Sequence, residues 1–240
     1  MTGRTVETSP QLYARMAGAF ALLEALTAAF GQVILPKLVV SGDAAATAAN
    51  ILRNQPLFLY AFAATVIGVL FHLARMLLFY ELFKPVNRSI ALLAVFGMLV
   101  GCAFQALTGL LYLAPVRVLT AGSALSAFTT EQLQALALVF LKVNALAFDI
   151  YLVFFGFWCA LTGYLIFRST FLPRILGVLL LIDGFGWMTF LSADLGRYLM
   201  PGIFIATALA ELPLMVWLIV KGVDVRRWKQ QAGVLLSRQT

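Results

Sequence analysis

The chain has 240 residues, of which 62% belong to the apolar set AVILMFWYC and 11% are charged, and its mean hydropathy is +0.97. A soluble domain is roughly half apolar and about a quarter charged, and disordered chains have the opposite bias, so composition excludes a soluble enzyme, a nucleic-acid-binding domain and a disordered tail. The net charge of +7, from 17 Lys+Arg against 10 Asp+Glu, would suggest an anionic partner in a soluble chain; in a membrane protein it records topology and contact with headgroups.

A helix needs about 20 apolar residues to cross the ~30 Å hydrocarbon core. Only Arg4 precedes Glu7 ahead of a long first apolar run, so no cleaved signal peptide is expected. The first run spans 12–35 and stops at Pro36-Lys37. Gly42-Asp43 then opens AAATAANIL, a short helix signal with Asp43 where the helix dipole favours an acid and with Ile51 and Leu52 placed to dip into the interface. The second run, 56–83, stops at Lys84-Pro85, and the third, 90–113, stops at Ala114-Pro115. The loop from Val116 to Thr130 is small and polar; with the Gly42 loop it either rests on the headgroups or covers the outer face. The fourth run, from Glu131 to Phe167, is too long for one span. Its start, Glu131 to Lys142, reads as an extension outside the membrane, with Thr129 or Thr130 as N-cap, and 145–167 is the span. The fifth run is 175–191 and the sixth 201–220. A tail over 225–236 places Val225, Trp228, Ala232, Leu235 and Leu236 on one helical face, away from Arg226, Arg227 and Lys229.

Lipid leaves backbone polar groups no partner but each other, and continuous apolar runs without alternation favour helices over a barrel. The expected fold is therefore all-α: one polytopic membrane domain over 1–240, a bundle of six transmembrane helices. Lys and Arg set its orientation. Arg4, Arg15, Lys84, Arg88, Arg168, Arg174, Lys221, Arg226, Arg227, Lys229 and Arg238 fall on one side, against Lys37, Arg53, Arg117 and Arg197 on the other. Both termini are expected in the cytoplasm. The tail is expected to lie on the cytoplasmic leaflet as an amphipathic helix, with anionic lipid as its partner.

Several stretches resemble the bacterial membrane proteins grouped as domain of unknown function 4386. They are GDAAATAANI (42–51), PVNRSIALLA (85–94), QLQALALVFL (132–141), FFGFWCALTGYLIFRSTFLPRILGVLL (154–180) and LAELPLMVWLIVKGV (209–223). The resemblance covers nearly the whole chain and is strongest in the fourth stretch. It implies a bacterial multi-helix inner-membrane protein and no activity.

Ionisable residues inside spans are the functional candidates, because each costs about 2.5–3.5 kcal/mol at the helix centre on insertion scales. Glu24, His72, Arg75, Asp183 and Glu211 fall near the middles of their runs, and Asp149 lies in the outer part of the fourth, with Lys142 at i−7 on the same face. Arg75 lies about 12 Å from the end of its helix and keeps its charge when buried. A cluster of Arg75 and His72 with two or three of Glu24, Asp183 and Glu211 is expected; such a cluster either lines a polar midplane cavity or only fixes helix register. Pro213 denies a hydrogen bond to the Leu209 carbonyl, which leaves either a polar site or a simple kink. Gly177 with Gly184, and Gly156 with Gly163, share a face at i+7 and suit close helix packing. Cys102 and Cys159 read as buried small apolar residues.

His72 is the single histidine, which excludes bis-histidine haem and a three-histidine zinc site. No Walker lysine loop and no GxSxG occurs, and Lys142 is misplaced for a retinal Schiff base. No cofactor and no metal is expected. The expected function is binding or transport of a small amphiphilic or proton-coupled ligand. The alternatives are an intramembrane enzyme on a lipid-like substrate, with Glu211, Asp183 or His72 as acid or base, and a non-catalytic scaffold.

Overall fold

The computed structural model describes residues 9–237, with the side chains of 30–36 and 234–237 outside the description. Arg4, Arg238, Leu235 and Leu236, used above for orientation and for the tail, fall outside the described residues or side chains. The described chain is helical throughout, without strands. The helices are α1 (Pro10–Leu38), α2 (Ala44–Arg53), α3 (Gln55–Phe83), α4 (Arg88–Leu119), α5 (Thr130–Arg168), α6 (Arg174–Met188), α7 (Ala193–Val220) and α8 (Val225–Ser237). Single 3₁₀ turns occupy Gly122–Leu125 and Thr189–Leu191. Six helical segments, within α1, α3, α4, α5, α6 with the turn after it, and α7, are long and apolar enough to span a bilayer. Large apolar side chains such as Leu70, Leu77, Phe96, Leu110, Phe185 and Ile205 point outward, which only lipid tolerates on this scale. The protein is an integral, multi-pass membrane protein.

Local signals set the helix ends. Asn87 Oδ1 accepts from Ile90 N (3.0 Å) at the start of α4. Thr129 and Gln132 form a reciprocal capping box at α5: Thr129 N donates to Gln132 Oε1 (2.9 Å) and Gln132 N to Thr129 Oγ1 (3.3 Å). The long fourth run is one unbroken helix of 39 residues, about 58 Å at 1.5 Å per residue, so it must project beyond a ~30 Å core.

Two boundaries differ from the prolines that were expected to set them. Helix α4 continues through Pro115 to Leu119, and α7 starts at Ala193 and runs through Pro201 and Pro213. A proline removes one donor, and a membrane helix tolerates this where neighbouring groups serve the freed carbonyl. Helix α4 ends past Pro115, where Thr120 N and Oγ1 both donate to the Val116 carbonyl. The start of α7 is set by Asp194 in its first turn, a favourable place for an acid. The fifth run is α6 followed by the 3₁₀ turn at Thr189–Leu191, which leads directly into α7.

The chain divides into two compact units: Met1–Leu22, His72–Leu99 and Leu152–Thr240 form one, and Leu23–Phe71 with Val100–Tyr151 the other. The second unit is built around Leu38, Ile51, Phe58, Val116 and Leu141. Ile51 is fully buried there while Leu52 is exposed, so α2 folds onto the protein through Ile51. Thr47 bonds both the N–H and the carbonyl of Val40, and Asn50 Nδ2 donates to the Leu38 carbonyl, which ties α2 to the end of α1. Asp43 caps α2 by accepting from Ala46 N at 2.8 Å.

In the first unit, glycines bring α5 and α6 into backbone contact. A Cβ on Gly156 would lie 2.5 Å from the Gly184 carbonyl oxygen, and one on Gly177 would lie 2.6 Å from that of Gly163. The i+7 spacing read from sequence is the α5–α6 interface. Helix α8 docks on the same unit: Trp228 Nε1 donates to the Leu82 carbonyl at 2.8 Å, and Gln231 Oε1 accepts from Thr170 N and Oγ1 at 3.1 Å. Val225, Trp228 and Ala232 are half-buried while Arg226, Arg227 and Lys229 are exposed, as the amphipathic pattern requires.

Candidate functional site

The close α5–α6 contact determines what lies beside it. Cys159 sits between Gly156 and Gly163 on α5, and Asp183 immediately precedes Gly184 on α6. Helix α7 adds Thr207 and, one turn on, Glu211. The Cys159 thiol and one oxygen each of Asp183 and Glu211 all lie within 4.8 Å of one another. Asp183 and Cys159 are fully buried and Glu211 is half-buried. Thr207 Oγ1 donates to Asp183 Oδ1 at 2.6 Å. Asp183 Oδ2 and the indole N–H of Trp187, both buried, have no partner of good hydrogen-bond geometry among the described residues, although Cys159, Trp187 and Glu211 are all near enough to interact with the Asp183 carboxylate.

A second polar pair comes from α3. The Arg75 guanidinium donates to His72 Nδ1 at 3.3 Å, so that ring nitrogen acts as the acceptor. The Arg75 Cζ lies 4.6 Å from the centroid of Trp158, a cation–π contact that is stronger away from water. The His72 ring meets the Trp158 ring edge-on at 5.4 Å and that of Phe155 at 6.0 Å. Phe155 in turn packs on Trp187, and Trp187 on Phe204. Polar groups and rings therefore alternate through this unit. Arg75, Asp183 and Glu211 all act electrostatically on Cys159.

Four of the six charged candidates, His72, Arg75, Asp183 and Glu211, belong to this unit. Glu24 and Asp149 are buried in the other. Lys142, expected to share a face with Asp149, is exposed. The buried polar groups of that second unit include Asn144, which donates to the Thr108 carbonyl at 2.7 Å.

A family model for a domain of unknown function, DUF4386, matches residues 16–222. The chain belongs to the DUF4386 family. The match takes in every helix of the DUF4386 protein except α8, and all of the residues just described. No curated protein and no solved structure gives a significant match to it.

Cys159, Thr207, Trp158 and Trp187 belong to this DUF4386 site, but the sequence named none of them as a site residue and marked Cys159 only as a buried small apolar side chain. Cysteine and threonine are ordinary in membrane helices, and tryptophan reads as packing or an interfacial anchor. The one usable signal was the glycine spacing, which places Cys159 beside the α6 backbone.

Proposed function

We propose that this DUF4386 protein binds a small amphiphilic ligand in its membrane-spanning region, with the polar end held by Asp183 and Glu211 and the apolar part against the rings of Phe155, Trp158, Trp187 and Phe204. The observation that carries this reading is Asp183 itself: a fully buried carboxyl group, bonded by Thr207 at Oδ1 and gathered with Glu211, Cys159 and Trp187 into one polar cluster inside the membrane-spanning region. A buried charge is retained against a large desolvation penalty, and intramembrane acids commonly mark ligand or ion pathways. Two carboxylates at one point favour a head that is cationic or rich in hydrogen-bond donors. The aromatic contacts supply apolar area next to it.

The Lys and Arg asymmetry supports the companion reading: the chain sits in the bacterial inner membrane with both ends in the cytoplasm. The exposed Arg226, Arg227 and Lys229 of α8 would then meet anionic lipid.

Native mass spectrometry with lipid and metabolite analysis of the purified protein tests the ligand. A retained amphiphile that is lost from Asp183→Asn and Glu211→Gln, with helicity unchanged, is the expected result. Equal retention by wild type and both variants would sink the proposal.

A further inference from the structure

Three helices of one unit bring a thiol and two carboxylates to a point: Cys159 from α5, Asp183 from α6 and Glu211 from α7, with one ligand atom from each within 4.8 Å of the others. Histidine spacing pointed away from a metal, but these donors come from three separate helices, a set that no linear spacing reveals. Thiolate with carboxylate suits borderline-soft divalent ions, and thiolate excludes magnesium and calcium as natural occupants.

The bonding at Asp183 points the same way. Thr207 occupies Oδ1 at 2.6 Å, which fixes the carboxylate as partners of metal-bound carboxylates do. Oδ2 is buried and has no partner of good hydrogen-bond geometry among the described residues, while the Cys159 thiol, the Trp187 indole and Glu211 all lie close enough to interact with the same carboxylate, so the group faces the donors and ligands of one cluster.

We infer that Cys159, Asp183 and Glu211 form a site for a divalent ion of the zinc and cobalt type. This rests on the reading of the same cluster as the ligand site and narrows the ligand's polar end from a cationic group to one that offers the ion a lone pair, such as a hydroxyl or a carboxylate. Three protein ligands leave the fourth position of a tetrahedron open, the arrangement of zinc sites that take a water or substrate. Trp187 stands one turn beyond Asp183 on α6, and its buried indole N–H interacts with the Asp183 carboxylate, which places a donor beside that fourth position. Binding forms the sulfur–metal bond as the thiol proton leaves to solvent. The three anionic ligands exceed the ion's charge by one, and the buried Arg75 of the same unit carries a compensating positive charge.

The test uses the full chain, purified in detergent, stripped with a chelator and titrated with Co²⁺. The expected result is a thiolate-to-cobalt charge-transfer band in the near ultraviolet, saturating near one ion per chain (about 1:1, as a single tetrahedral site requires) and removed by Zn²⁺. Cys159→Ser abolishes the band, whereas Cys102→Ser, in the other unit, keeps it. Asp183→Asn and Glu211→Gln each weaken binding by at least about tenfold. No band in folded wild type, or the same band in folded Cys159→Ser, overturns the inference. A band in protein that retains no amphiphile overturns the ligand reading alone, and a retained amphiphile without a band overturns the ion alone.

Discussion

Thr207 donates to Asp183 Oδ1 at 2.6 Å, and Thr207→Val removes that donor while conserving volume. A buried carboxylate oxygen left without its donor costs about 1–3 kcal/mol, although single hydrogen bonds between membrane helices average only about 0.6 kcal/mol. The fully buried position of Asp183 favours the larger figure, so Thr207→Val should destabilise the protein by about 1–2 kcal/mol. Thermal unfolding in detergent measures it, and Thr207→Ser should restore most of the loss. At this scale the sequence showed the charges and hid their partners. Asp183 and Glu211 stand out because an acid in an apolar run is expensive wherever it points. Cys159 and Thr207 do not, because their significance is a distance across helices and neither residue type is unusual in its own helix.

The α5–α6 contact and the docking of α8 make separate predictions at the scale of the element. A Cβ on Gly184 would lie 2.6 Å from Ala160 N and from the Gly156 carbonyl oxygen. Backbone atoms cannot give way as a flexible side chain can, so Gly184→Ala should cost about 3 kcal/mol, the upper end for overpacking. Gly202, also within a helix, has nothing within 4 Å of its Cβ position; Gly202→Ala should be neutral or stabilise by about 0.5–1 kcal/mol. Equal melting temperatures for the two variants would remove the glycine contact as the reason α5 and α6 approach. For α8, Trp228→Phe deletes the bond to the Leu82 carbonyl and keeps most of the apolar area. Faster trypsin cleavage at Arg226, Arg227 and Lys229 is expected, with the rest of the chain cut no faster. Periodicity made these elements legible: the glycines at i+7 and the apolar face of α8 were both readable. The stop at Pro115 and the start at Pro201 were misleading, since a proline in a membrane helix deletes one bond without ending the helix. The burial of Ile51 was invisible in the same way as the role of Cys159, because Val40 and Leu38, which hold α2 in place, lie beyond its own pattern.

For the whole molecule, composition required a membrane and run length set six spans, and both conclusions rest on sums that survive errors at any single boundary. Orientation is a different kind of inference, because it depends on which loops the basic residues occupy. The expected arrangement puts the C-terminal tail inside and the segment around Ser123 outside. Alkaline phosphatase inserted at Ser123 should therefore be active, and the same enzyme fused after Gly233 inactive; the reverse pattern would invert the topology. If that topology holds, α8 would contribute more to lipid contact than its charge count suggests, since the bonds of Trp228 and Gln231 order its exposed face before any lipid is met. Each basic residue near an anionic surface contributes about 1 kcal/mol, but Arg227 is already paired with Asp224 at 3.3 Å. Substituting Arg226 by Gln should thus reduce retention of anionic lipid more than substituting Arg227. Titration of the purified protein with vesicles of graded anionic content separates the two. Loss of binding in Arg227→Gln alone would mean that the tail meets lipid through a geometry other than the docked helix.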